Sequence, residues 1–409
     1  MNKRMIIVFL LGFSSGFPLA LVSSTLQAWF VEAGMSLVAI GLLSLLGLPY
    51  LFRFIWAPIL DRYSLFKLGK RKSWIISMQV VLLFGFNLMA WCAPNVYPNL
   101  LVLLALCMAI CSATQDVAID AHRTEYLLKN EQALGVSMAV FGYRLALLFS
   151  GGLGLVIAQY LGFAMAYRLL GLVMCCGIIA TVYSPEPSEI GHHQPNFAQS
   201  FIAPIRELQS RPGIVWLILF IIAYKLGESF TTSTSGIVMP FFIQGLGFSL
   251  DTIGYVNNVL GLIAIVIGGM TAGILLMRCS LLHALCVFGL LQALTNVLFV
   301  LLAANSKNLS LLALAVFSDN FAAGMGSTGL VALLTRVVDR RYTATQLSVL
   351  AAISTIPRNF SGPIAAYIQS CVGWVGLYEF SVVLALVFLP LALLVKPLLE
   401  ENTVVTDCK

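Results

Sequence analysis

Apolar runs long enough to cross a bilayer follow one another along almost the whole chain, each closed by charges or by Gly and Pro clusters. A helix needs about 20 such residues to span the hydrocarbon. Twelve runs meet that length: roughly 5–31, 37–58, 73–93, 99–122, 133–160 and 164–183, then 213–242, 250–276, 281–303, 309–335, 343–370 and 374–396. Between the two sets of six lies the longest polar stretch, with Pro185, Pro187, Pro195, Pro204 and Pro212. The pattern predicts an all-α membrane protein of twelve transmembrane helices in two six-helix bundles. The N-terminal bundle would occupy 1–183 and a cytoplasmic linker 184–212. The C-terminal bundle would follow over 213–400, with a short cytoplasmic tail over 401–409. The first run follows Lys3 and Arg4 as a signal peptide would, but it is too long for a removable segment and reads as the first span.

Composition excludes whole classes of function. Of 409 residues, 60% are hydrophobic and 10% charged, whereas a soluble domain carries about 25% charge. A soluble enzyme, a nucleic-acid-binding protein and a disordered scaffold are all ruled out. The net charge of +6 acts as an orientation signal. With the N-terminus inside, seventeen of the 23 Lys and Arg fall on cytoplasmic segments and two, Arg168 and Lys307, on the opposite side. Both termini are therefore expected in the cytoplasm. The nine cysteines form no CxxC pair and read as small packing residues.

The halves repeat one another. Gln132 and Arg144 recur as Gln346 and Arg358 at an offset of 214. Ser150-Gly151 recurs as Ser361-Gly362, and Gly162-Phe163-x-x-x-Tyr167 as Gly373-Trp374-x-x-x-Tyr378, both at an offset of 211. One six-helix unit was duplicated. Two such halves about an axis along the membrane normal are the architecture of the major facilitator transporters, which bind substrate near the midplane.

An ionisable side chain at the membrane centre costs about 2.5–3.5 kcal/mol on insertion scales. Here the intramembrane cations are Arg53, Arg144, Lys225 and Arg358, and the acids are Asp116, Asp120, Glu228 and Asp319. Asp116 and Asp120 are four residues apart, and Lys225 and Glu228 three, so each pair shares a helix face. The plain reading is structural ion pairing, above all for Asp120, which can reach Arg123; Arg53 can snorkel to the interface. The sharper reading is coupling. A carboxylate in a low-dielectric cavity favours its proton, a neighbouring cation opposes that, and a substrate anion that occupies the cation tips the balance. On this reading Asp116, Glu228, Asp319 and Asp120 are candidates for proton coupling, and Arg144, Lys225 and Arg358 for substrate anions. The energy source is the proton gradient, and no cofactor is implied.

Polar and aromatic residues extend the candidate cavity. Gln27 and Trp29 on span one, Gln115 beside Asp116, Tyr143 beside Arg144, and Tyr224 on span seven offer stacking faces and hydrogen bonds. The many Ser and Thr of spans one and seven suit helix packing equally well. After span two, Asp61-Arg62 resembles the acidic-Arg gate of major facilitators, with Ala57 in place of its first Gly; the second half keeps only Arg278. The four histidines show no metal spacing, and no phosphate-cradling motif is present. No nucleophile and base constellation suggests an enzyme.

Several stretches together resemble one family, the muropeptide permeases of the AmpG type within the major facilitator superfamily. They are Ser15-Gly16-Phe17-Pro18 with Thr25-Leu26-Gln27-Ala28-Trp29, Pro58 to Trp74, Cys111 to Ala121, Gly142-Tyr143-Arg144-Leu145, Pro185-Glu186-Pro187, Tyr224-Lys225-Leu226-Gly227-Glu228 and Ala344-Thr345-Gln346. The resemblance implies a monomeric, multi-pass symporter of the bacterial inner membrane. It would import N-acetylglucosamine–1,6-anhydro-N-acetylmuramyl peptides with protons for peptidoglycan recycling, and so feed the signal for inducible β-lactamase. Its partners would be the muropeptide, protons and the lipid bilayer, with no nucleic acid. The alternatives are a related carrier of another anionic solute such as acetyl-coenzyme A, or a transporter-like membrane sensor.

Overall fold

The structure is a computed structural model that describes residues 3–128, 131–186, 197–305, 307–338 and 343–404. Among these residues every regular element is helical. Nine stretches are long and apolar enough to cross a membrane. Two of them, Leu134–Tyr183 and Thr345–Lys396, run to 50 and 52 residues, more than twice the about 20 that one crossing uses. Each is broken at a glycine of positive φ, Gly162 at 79° and Gly373 at 73°, and so holds two crossings. The shorter helix Ile214–Ser229, bent by 95° from Ala203–Gln209, supplies the remaining one, and twelve crossings result. Gly162 and Gly373 are the repeat-equivalent glycines before Phe163 and Trp374. A side chain in that backbone conformation costs about 1–2 kcal/mol, which is why both copies keep glycine at this corner.

The chain divides into two compact units, Met1–His192 with Phe242–Val259, and His193–Phe241 with Leu260–Lys409. In the first unit, span one packs on the helix Gln132–Leu147 of span five. Small residues let their backbones meet: a Cβ on Gly16 would lie 2.7 Å from the Tyr143 carbonyl oxygen, and Gly12 and Gly142 sit equally close to Ala139 and Phe9. Span three, Lys70–Met89, packs on span four, Pro98–Tyr126, and on span six. The segment 242–259 lies in this unit because its own glycine meets another. A Cβ on Gly254 would lie 2.8 Å from the Gly152 carbonyl oxygen, and Gln159 Oε1 accepts from the Leu250 backbone N–H at 2.9 Å.

The second unit pairs its helices in the same order, span seven with span eleven, eight with ten, and nine with ten and twelve. Three features depart from the sequence reading. Span seven is not one helix: it stops at Ser229 and resumes only at Val238–Pro240. The intervening Thr231-Thr232-Ser233-Thr234-Ser235-Gly236 combines hydroxyl residues, which compete for backbone hydrogen bonds, with glycine. Span one breaks more briefly, at Ser23 between Lys3–Val22 and Ser24–Glu32. The polar linker also holds a helix, Phe197–Gln209. Its Leu208 enters the apolar core with Ile214 and Leu217, Gln346 donates to the Pro204 carbonyl at 3.1 Å, and Arg211 pairs with Glu207 at 2.8 Å. This part of the linker is thus a docked element of the second unit.

The glycine crossing of spans one and five yields a stability prediction. Gly16→Leu should destabilise the protein by about 1–3 kcal/mol, the usual effect of overpacking, seen as a lower Tm in detergent; Gly34→Ala, whose added Cβ meets nothing within 4 Å, should cost only its strain of about 1–2 kcal/mol without loosening the crossing.

Candidate functional site

In the first unit the candidates gather around Asp116, which is buried midway along Pro98–Tyr126. Its Oδ1 accepts from Ser15 Oγ at 2.6 Å, and its Oδ2 lies 3.6 Å from Arg53 Nη1. Arg53 sits in a short 3₁₀ turn, Arg53–Ile55, near the end of span two, and its side chain is 41% exposed. The carboxyl therefore has a neutral donor on one side and a partly exposed cation on the other. Behind it, Gln115 Nε2 donates to the Ser14 carbonyl at 2.7 Å. Gln79 donates to Ser14 Oγ at 3.0 Å, and Thr181 donates to Gln79 Oε1 at 3.0 Å. This buried chain ties spans one, three, four and six behind the carboxylate.

Arg144 is half-buried on span five, and no hydrogen bond or ion pair joins it to any described residue. Tyr143 beside it packs its ring against Gly16. Gln27 is fully buried. Trp29 is buried with its ring stacked on Phe163, centroids 5.7 Å apart and planes 9° apart. The neighbouring Tyr167 donates its hydroxyl to the Leu21 carbonyl at 2.6 Å. The structure thus sets Asp116, Gln115 and Arg53 together and sets Trp29 in an aromatic stack of its own.

The second unit holds a different arrangement. Asp319, buried in Leu309–Val337, accepts two hydrogen bonds on Oδ1, from Thr231 Oγ1 at 2.8 Å and Gln292 Nε2 at 2.7 Å. Both donors are neutral. Thr231 reaches it from the non-helical part of span seven, and Gln292 from span nine, where Asn296 one turn on donates to the Gly227 carbonyl at 2.8 Å. Lys225 Nζ donates to Glu228 Oε1 at 2.7 Å and to Ser327 Oγ at 3.2 Å. Tyr224 is buried among Phe220 and Phe388. Arg358 is half-buried, and its guanidinium, like that of Arg144, joins no described residue. Tyr378, the repeat partner of Tyr167, is fully buried, and its hydroxyl finds no partner among the described residues.

The remaining candidates lie elsewhere. Asp120 pairs with Arg123 at 3.0 Å with its carboxylate half exposed. Arg62 is exposed beside the Tyr63 ring, Arg278 is exposed, and the side chain of Asp61 lies outside the described residues. In the same loop region Arg71 holds Glu125 at 2.6 Å. Glu186 accepts from the backbone N–H groups of Arg71 and Lys72 at 2.8 and 3.1 Å, capping the start of span three as an anion favours. Sequence reasoning passed over Ser15, Gln292, Thr231 as a donor, and this Arg71, Glu125 and Glu186 cluster. Gln292 and Asn296, four apart in an otherwise apolar run, were the available signal.

The model of the Major Facilitator Superfamily matches residues 8–356. The anhydromuropeptide permease of Escherichia coli (strain K12) is 38% identical over 404 residues, 98% of this chain and 82% of that protein. The putative transporter AmpG 4 of Rickettsia felis is 28% identical, covering 94% of each chain. Among solved structures, the nucleoside transporter NupG superposes with a TM-score of 0.76 at 14% identity, over 96% of this chain and 99% of that one. A bacterial homologue of the lysosomal transporter Spinster superposes with a TM-score of 0.73 at 15% identity, over 96% of each chain. At these identities the two structures speak for the fold alone.

The Asp319 cluster yields a prediction. Gln292→Leu removes one of its two donors and should cost about 1.5–3 kcal/mol, as for a hydrogen bond to a charged group. Paired with Asp319→Asn, the loss in Tm should be smaller than the sum of the two single losses; strict additivity would mean that the bond contributes nothing.

Proposed function

Because the chain belongs to the major facilitator superfamily and, within it, to the family of the anhydromuropeptide permeases, we propose that it imports muropeptides together with protons. The cargo is N-acetylglucosamine–1,6-anhydro-N-acetylmuramyl peptide, carried from periplasm to cytoplasm for peptidoglycan recycling. The protein would sit in the bacterial inner membrane with both termini in the cytoplasm, in line with the excess of Lys and Arg on that side. The substrate class rests on the Escherichia coli relative. The coupling rests on one observation, the position of Asp116 between Ser15 and Arg53.

The chemistry follows from charge balance. With the cavity empty, Arg53 offsets the charge of Asp116. A muropeptide stem brings carboxylates, and an incoming carboxylate competes for the cations of the first unit, Arg53 and Arg144, the latter without a side-chain partner among the described residues. Asp116 is then left with Ser15 alone, and a proton restores neutrality. The occupied, protonated carrier is neutral at this point and can reorient; release of the anion to the cytoplasm returns Arg53 to Asp116, and the proton leaves. Arg358, whose guanidinium has no partner among the described residues, is the corresponding cation of the other repeat. Asp319, buried with two neutral donors and joined to no cation among the described residues, is the second group proposed to carry a proton.

Uptake of labelled anhydromuropeptide into proteoliposomes, with and without an imposed pH gradient, checks this reading. Asp116→Asn should abolish gradient-driven accumulation yet retain exchange of internal for external substrate. Arg144→Ala should raise the half-saturating concentration by about tenfold or more, the effect of losing a charged hydrogen bond. Free N-acetylglucosamine–anhydromuramyl disaccharide should compete and coenzyme A esters should not. Wild-type accumulation in both variants would reduce these residues to packing.

A further inference from the structure

Lys225 and Glu228 stand at the end of Ile214–Ser229, just before span seven leaves helical geometry. They do not resemble the other charges of the membrane interior. Arg144 and Arg358 have no described partner, whereas Lys225 and Glu228 already neutralise each other at 2.7 Å. The pair is largely withdrawn from water but still reachable, its side chains 12% and 20% exposed. Its hydrogen-bonding capacity is half used. An ammonium has three donors; Lys225 spends one on Glu228 Oε1 and one on Ser327 Oγ at 3.2 Å. Glu228 Oε2 has no partner among the described residues. The site therefore has one donor and one acceptor to offer, on groups of opposite charge held side by side.

A bare anion fits this arrangement badly. To bind Lys225 it must draw the ammonium from Glu228, which leaves a mostly buried carboxylate uncompensated, a loss that commonly exceeds the gain. A ligand that carries both charges avoids this. Its carboxylate faces Lys225 and Ser327, its ammonium faces Glu228, and the four charges alternate around a small ring with no net charge added. The C-terminal end of a helix carries partial negative charge and favours a cation nearby, and this helix ends one residue beyond Glu228. We propose that Lys225, Glu228 and Ser327, brought together at the broken end of span seven, form a subsite for a zwitterionic amino-acid head. The head is an amine and a carboxylate on one carbon, the free end of a diamino dicarboxylic acid residue in the ligand's peptide stem. The inference rests on the muropeptide reading and deepens it: this pair reads the stem for a free amino-acid end.

The test separates the two readings. Purified full-length protein is titrated with three ligands, a stem-bearing muropeptide with the zwitterionic residue intact, the same compound acetylated on that amine, and the same compound amidated on that carboxylate. Affinity is read by ligand-induced thermal stabilisation and by competition against uptake of the labelled stem-less disaccharide. In the wild type each blocked form should bind about tenfold more weakly or worse, as expected for a lost charge-assisted hydrogen bond. In Glu228→Gln the penalty for acetylation should shrink to about twofold or less while that for amidation persists, and Lys225→Met should show the reverse. A free diamino acid should compete weakly, which separates a stem subsite from an amino-acid carrier. Equal affinities for the three ligands in the wild type, with disaccharide uptake intact, would overturn the subsite and leave the muropeptide reading standing. Loss of disaccharide uptake with the preference for the zwitterion retained would overturn the muropeptide reading and leave the subsite.

Discussion

A carboxylate taken into hydrocarbon must be answered from within the protein, and the organisation of both units follows from how that is done. Water is not at hand to stabilise it, and an unanswered charge costs more than a whole domain can spare. The first unit answers Asp116 with a hydroxyl and a cation, Ser15 and Arg53. The second answers Asp319 with two neutral groups, Thr231 and Gln292. The difference is chemical. A carboxyl with an exposed cation beside it can exchange its counter-charge with a ligand, whereas one held by neutral groups can change state only by gaining or losing a proton.

The same constraint explains where the backbone breaks. Irregular backbone within a membrane span is tolerated only where protein or a watery cavity satisfies it. The non-helical stretch of span seven meets the condition by spending Thr231 on Asp319, while the Gly227 carbonyl before it takes the Asn296 amide. The break thus places Thr231, which holds the Asp319 carboxyl, a few residues along the chain from the Lys225 and Glu228 pair. Rigid glycine crossings supply the frame. Gly12, Gly16 and Gly142 in one unit, and Gly268 and Gly324 in the other, bring backbones so near that a single Cβ would force them apart.

The fold was legible because length and hydropathy decide it. Twelve apolar runs, the corner glycines Gly162 and Gly373 and the duplicated motifs are read directly from the order of residues. The charged candidates were equally visible, since each is conspicuous among apolar neighbours. Their partners were not. Ser15, Thr231 and Gln292 are ordinary polar residues whose importance lies in what the packing brings to them from 101, 88 and 27 residues away. The break in span seven was hidden for a related reason. Its Thr and Ser run also suits a continuous packed helix, and only tertiary contacts decide between the two. The helix Phe197–Gln209 was masked by the prolines around it, although Pro204 itself is accommodated inside it.

Tyr167 and Tyr378 occupy the same place in the two copies of the ancestral unit, yet only the first has kept its bond, to the Leu21 carbonyl. At either repeat offset the counterpart of Leu21 is Thr232 or Ser235, inside the unwound stretch of span seven. After duplication, then, the two halves specialised. In one copy the phenol clamps the leading span, and in the other, where that span is unwound, it stays buried with no partner among the described residues, so the duplicated motif holds two different frames.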